Sequence, residues 1–285
     1  MTTETGYTRL SPNPVATITY DLAGRRQTLS YPNLVGTTYT PNRASFLTSL
    51  LTLYDQQTTI NSFAYTPDGM GNRATMTDLA GQHAYTYDDT YQLINATHPN
   101  MPLEHFSYDE AGNRLTSEGQ APSSGRSTEY VYDFENRLIE VNYTGMVAQY
   151  KYDPFGRRIQ KIVNNGTPVT TRYLYDGPNI VAQYDGSWTV TAKYIHTPDI
   201  DDPLTVTQGD NTYYYHRDGL GSVVNLTDSN GYIVKTYTYK SFGEINSETG
   251  SVAQPFTFTG REYDPESGFM RRKLLMGRCG YLFKL

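Results

Sequence analysis

Short aromatic stretches alternate with polar turns along this chain, and the alternation recurs. In Phe106-Ser107-Tyr108, Tyr130-Val131-Tyr132 and Tyr150-Lys151-Tyr152 the aromatic residues stand two apart. That spacing puts both rings on one face of a β-strand. Each stretch runs into Asp, two loop residues, Gly or Asn, and then an Arg. The clear copies are Tyr108-Asp109 with Gly112 and Arg114, Tyr132-Asp133 with Asn136 and Arg137, and Tyr152-Asp153 with Gly156 and Arg157. Tyr20-Asp21, Tyr87-Asp88 and Tyr175-Asp176 are weaker copies. Residues 65–73 hold another, with an inserted residue. Asp opens a turn by bonding its own backbone, and Gly or Asn takes the position with φ > 0. The Arg resumes a strand within reach of the Asp.

The Asp residues at 88, 109, 133, 153 and 176 are separated by 21, 24, 20 and 23. Such a period fits one β-hairpin per repeat. The pattern therefore predicts an all-β hairpin array in which stacked repeats align Tyr residues and Asp/Arg pairs into ladders. Residues 43–54 also fit a helical face through Phe46, Leu47, Leu50, Leu51 and Tyr54. We read them as strand, because Asn42-Arg43 is the step that leads into strands elsewhere.

Composition narrows the class. The 285 residues include 27 Tyr and one Trp, with 18% charged residues and a formal charge of −6. Tyr combines a packable ring with a wet hydroxyl, as a broad sheet face requires. The acidic balance argues against a phosphate-neutralising nucleic-acid binder. One cysteine, Cys279, excludes a disulfide framework and a cysteine zinc site. No apolar run approaches the roughly 18 residues of a membrane helix, and the N-terminus lacks the basic and apolar regions of a signal peptide.

Beyond residue 205 the pattern changes. Tyr213-Tyr214-Tyr215-His216-Arg217-Asp218-Gly219-Leu220-Gly221-Ser222-Val223 reads as strand, turn and strand, and Asn230-Gly231 as a hairpin turn. Then comes Phe256-Thr257-Phe258-Thr259-Gly260-Arg261-Glu262-Tyr263-Asp264-Pro265-Glu266-Ser267-Gly268. The seven Tyr-Asp copies resemble the YD repeats of the Rhs proteins, and residues 213–268 resemble the Rhs-associated core that ends such arrays. Related arrays occur in the C subunits of bacterial insecticidal toxin complexes, in wall-associated proteins and in teneurins.

The resemblance implies a β-ribbon that spirals into a hollow cocoon around a C-terminal toxin, released when the core cuts the chain. It divides this sequence into YD repeats at 1–205, the N-terminal part of the core at 206–268, and a divergent basic tail at 269–285. The family core continues to a second Asp-Pro-x-x-Gly, where the cut falls. Here only Asp264-Pro265-x-x-Gly268 is present. The tail that follows reads as a frame change or a disordered end, and no toxin domain is expected.

These observations frame three readings. The first is a non-catalytic shell fragment, whose partners would be toxin cargo or the remaining shell of a longer homologue. The second is a binder of cell-surface carbohydrate through rows of Tyr. The third is a self-cleaving core, with Asp264 as the carboxylate and Arg261 as the cation that keeps it ionised. A protease dyad needs two carboxylates sharing a proton, so the turn reading of Asp264-Pro265 is preferred. Residues Tyr87, Asp88, Tyr108, Asp109, Gly112, Arg114, Tyr132, Asp133, Arg137, Tyr152, Asp153, Gly156, Arg157, Tyr175 and Asp176 are assigned structural roles in the repeats.

No cofactor is expected. His216-Arg217-Asp218 lacks the Asn of a kinase loop, and Gly219-Leu220-Gly221 lacks a third glycine. The histidines 83, 98, 105, 196 and 216 show no metal-ligand spacing. Asp199, Asp201 and Asp202 lack calcium-loop offsets and read as a solvated acidic loop. A secreted or cell-surface location is implied by the resemblance alone.

Overall fold

The computed structural model describes residues 2–5, 14–118 and 128–271. Eleven strands between residues 2 and 118 form one antiparallel sheet and twelve between residues 129 and 249 form a second. In both, each strand pairs with the next in sequence, so each sheet is a meander. Residues 43–54 contain strand Leu47–Tyr54, and its Leu50 is fully buried. Position 205 lies inside strand Pro203–Gln208, in mid-sheet. Of the divergent tail, Phe269–Arg271 forms a strand paired with Glu262–Asp264; residues 272–285 lie outside the described residues.

One turn builds most of this ribbon. Twelve five-residue turns share the same two backbone bonds: the first N–H donates to the fifth carbonyl, and the fourth N–H to the first. They begin at residues 21, 42, 68, 88, 109, 133, 153, 185, 218, 228, 240 and 257. The fourth residue has positive φ in every case, from Asn136 at 59° to Gly71 at 92°. Where the first residue is Asp or Asn, its Oδ1 accepts further backbone N–H groups. Asp153 Oδ1 accepts those of Phe155 and Arg157 at 3.0 and 2.9 Å. Within the two sheets the ladder slips by one residue just before these turns: Lys151 faces Gln160 but Tyr152 faces Arg158. This bulge strengthens the local twist.

The Tyr before the turn ties its repeat to the one before. Tyr87, Tyr108, Tyr152, Tyr175 and Tyr239 donate their hydroxyls to the carbonyls of Arg73, Leu93, Leu138, Arg158 and Val223. The Arg at the fifth position closes the turn and reaches onward. Arg137 and Arg157 bind Asp133 and Asp153 through Nε, at 2.6 and 2.7 Å. Arg157 also donates to the Gly177 carbonyl. Asp/Arg pairs form at the turns that start at 21, 133 and 153, whereas Asp109 bonds Asn113 and Arg114 lies over the Phe106 and Phe242 rings. Asp176 departs from the pattern. It faces Asn179 across a short Gly177-Pro178 turn, and the next five-residue turn starts instead at Asp185, on the opposite sheet edge.

The two sheets pack face to face around strand Asn211–Arg217. On one side, Tyr214 and His216 lie 5.1 and 5.6 Å from the Tyr31 ring of the first sheet. On the other, Tyr215 packs against Phe256 of the chain that follows the last strand. The seam between the sheets is also polar. The Tyr31 hydroxyl donates to the Tyr215 carbonyl and Asn33 Nδ2 to Thr227 Oγ1. The Gly219 N–H donates to the Tyr65 hydroxyl.

The acidic loop is not simply solvated. Asp202 is buried and its carboxylate meets both Arg26 and Arg217. Two cations arriving from different strands hold a charge that the local sequence would place in water.

Candidate functional site beneath the closing segment

Residues 252–269 cross the inner face of the second sheet. Phe256 packs edge-on against Tyr194 and His196, each 5.3 Å away. Gln254 donates to the Tyr237 hydroxyl and accepts from that of Tyr215. At the far end Phe269 stacks on Tyr130 at 5.1 Å. Apolar anchors at both ends thus hold a polar middle against the strands 146–176.

That middle is a buried ion cluster. Strand alternation sends Arg157 to the Asp153 turn and its neighbour Arg158 to the opposite, inner face. Arg158 Nη1 donates to Asp264 Oδ2 at 2.5 Å and Nη2 to Glu262 Oε2 at 3.1 Å. Its guanidinium lies between the Tyr150 and Tyr173 rings, 5.2 and 5.3 Å from their centroids. Lys161 Nζ bridges Asp264 at 3.4 Å and Glu266 at 2.9 Å, and the Tyr150 hydroxyl donates to Glu266 at 3.3 Å. Burial opposes the Lys161 charge. Tyr173, Asp264 and Glu266 outweigh that penalty and hold the ammonium above the ordinary lysine range.

The Asp264-Pro265-Glu266-Ser267-Gly268 motif forms the predicted turn. The N–H groups of Ser267 and Gly268 donate to the Asp264 carbonyl, and Gly268 has φ 74°. The turn sends Asp264 and Glu266 inward. Arg261 takes no part, since its Nε lies 3.8 Å from Asp201. The cation on Asp264 is Arg158, which the sequence hides 106 residues away. Two consecutive arginines at a strand start were the signal, because alternation can satisfy only one of them at the turn.

Chemically, each carboxylate has a cation in contact. The cluster is built as a clamp. No group of three or more His, Cys, Asp or Glu side chains arranged to hold a metal occurs among the described residues, and none of their helices is long and apolar enough to cross a membrane.

A meandering ribbon with a standardised turn, closed on its inner face by its own chain, defines a repeat-built β-shell. The sequence matches the Teneurin YD-shell family over residues 15–278, and the chain belongs to that family. A "tRNA3(Ser)-specific nuclease WapA" of Bacillus spizizenii is 32% identical over 212 residues, covering 72% of this chain and 8% of that protein. Teneurin-4 of Homo sapiens is 24% identical over 239 residues, covering 70% of this chain and 8% of that protein. The crystal structure of TcdB2-TccC3-Cdc42 superposes with TM-score 0.72 at 16% identity. It covers 90% of this chain and 17% of the solved chain, a likeness of fold. The chain thus spans less than a tenth of these two sequence relatives.

Proposed function

We propose that this chain is a wall segment of a toxin-carrying YD-shell protein and performs no chemistry of its own. The observation that carries the reading is the ion clamp. Every carboxylate on the inner face of the closing segment is spent on Arg158 or Lys161, which supports holding rather than cutting. The repeat tyrosines support it too, since their hydroxyls are committed to neighbouring repeats. The partners of such a wall are enclosed cargo and the adjoining shell, not nucleic acid. The carbohydrate reading has no comparable support.

Intact mass spectrometry of freshly purified protein, followed over days at neutral pH, tests the reading. A single uncut chain is expected. Two fragments whose masses sum to the full chain plus one water, and that disappear in Asp264→Asn, would replace it with a self-cleaving core.

A further inference from the structure

Away from the ion clamp, reactive chemistry is carried by asparagine followed by glycine. The glycine amide nitrogen can attack the asparagine Cγ, and glycine has no side chain to hinder the approach. The chain holds two such pairs, Asn165-Gly166 and Asn230-Gly231, and the fold treats them differently. Asn230-Gly231 belongs to the five-residue turn that starts at Asp228. The Gly231 N–H donates to the Asp228 carbonyl at 3.1 Å. Asp228 Oδ1 accepts the Asn230 and Tyr232 N–H groups, each at 2.9 Å. Asn33 of the first sheet donates through Nδ2 to the same Asp228 carbonyl at 2.7 Å. Gly231 is buried, and a Cβ there would run into the Tyr54 ring and the Asn33 carbonyl. Its nitrogen is thus held from both sheets and is not free to close onto Asn230 Cγ.

The tip at Asn165-Gly166 lacks every one of these restraints. Strand Arg158–Asn164 returns as Pro168–Asp176 through residues 165–167, with Asn164 facing Pro168. Residues 164–169 are all exposed. The two backbone bonds of the repeated turn do not occur here. The Gly166 N–H donates to the Asn164 Oδ1 at 3.2 Å, in solvent, where water can replace that bond. Gly166 has φ 116°, and a Cβ there would meet nothing within 4 Å. Bringing its nitrogen within reach of Asn165 Cγ therefore displaces water and no packed chain.

We propose that Asn165 is a site of spontaneous deamidation and that the fold protects Asn230 from the same reaction. The Gly166 N–H gives its proton to hydroxide, and the nitrogen bonds Asn165 Cγ. The side-chain amino group takes a proton from water and leaves as ammonia, which closes a succinimide ring. Water then opens either ring carbonyl. One opening gives aspartate. The other gives isoaspartate, whose backbone runs through Cβ and Cγ and is longer by one carbon. Position 165 gains a negative charge either way, and the chain stays uncut. The ladder pair beside the change is Asn164–Pro168, while Lys161 pairs with Thr171 further down the strand. The modification therefore alters the tip of the wall and leaves the clamp cations Arg158 and Lys161 in place.

Peptide mapping by mass spectrometry of the full chain, incubated at pH 6.5 and pH 8.5, follows both positions at once. Conversion at Asn165 is expected to run at least tenfold faster than at Asn230, and faster at pH 8.5 than at pH 6.5, because hydroxide takes the proton. Protein isoaspartyl methyltransferase with labelled S-adenosylmethionine should mark the peptide that contains position 165. Rates less than tenfold apart in the folded chain overturn the proposal, and so does a peptide at 165 that takes no label. Repeating the mapping in concentrated urea separates fold from sequence. There the two rates should converge to within threefold, through a rise at Asn230. A tenfold gap that persists in urea would come from the neighbouring residues alone and would overturn the protection assigned to the Asp228 turn.

Discussion

At the fourth position of the repeated turn the backbone, not the side chain, sets the requirement. Gly24 has φ 76°, and a Cβ built there meets nothing within 4 Å. Gly24→Ala should therefore cost only the left-handed backbone, about 1 kcal/mol in urea unfolding. Gly24→Asn should cost less, because Asn136 already occupies the equivalent position at φ 59°. Equal losses for Ala and Asn would show that something other than φ governs the site. A different residue sets the acid response. His216 is buried with Nε2 2.8 Å from Thr227 Oγ1, and burial pushes its ionisation down from 6.5 to about 3. Above pH 6.5 the ring is neutral in both folded and unfolded chains, so stability is unaffected by it. As pH falls from 6.5 towards 3, the unfolded chain takes up a proton that the folded chain refuses. Stability should drop by roughly 1.4 kcal/mol per pH unit from this group across the middle of that window. His216→Asn should remove one proton from the measured slope; an unchanged slope would assign the acid sensitivity elsewhere.

Among elements, the ion clamp decides whether the closing segment stays down. Arg158→Met would leave Glu262 and Asp264 buried without their guanidinium, a change that typically costs about 3–5 kcal/mol. Limited proteolysis should then cut within residues 250–271 before the sheets unfold. Adding Glu262→Gln and Asp264→Asn should restore much of the protection, because the penalty comes from unpaired charge. Protection that stays low in the triple variant would point to lost packing of Arg158 between Tyr150 and Tyr173. The elements themselves were legible locally, since Tyr-Asp-x-x-Gly-Arg encodes strand, cap, reversal and strand within a few residues. The turns at Lys240 and Thr257 were not legible as copies, because they lack a capping carboxylate. Gly243 and Gly260 with the two backbone bonds suffice there. Asp185 passed unnoticed beside Asp176, as both follow Tyr and only the geometry separates them. The clamp was illegible for a deeper reason. Arg158 meets partners 104 and 106 residues away, across a layer contact that no local period records.

For the whole molecule, a sequential meander leaves each sheet with two terminal strands. The second sheet ends at Glu129–Tyr132, exposed at every residue, and at Ile245–Thr249, exposed along most of its length. Next to the first of these, Phe134 is fully exposed and Phe155 half-exposed. Unpaired N–H and C=O groups beside exposed aromatics are a template for further strand pairing. In a larger shell such an edge would meet adjoining ribbon; in the isolated chain another copy can take its place. The purified protein should therefore self-associate in size-exclusion chromatography with light scattering, with the larger species gaining as concentration rises. Phe134→Lys should shift it towards monomer without loss of thermal stability, because that side chain stands fully in solvent. A monodisperse monomer at every concentration would mean that this edge is protected. The wall-segment reading would then have to find its neighbour elsewhere on the surface.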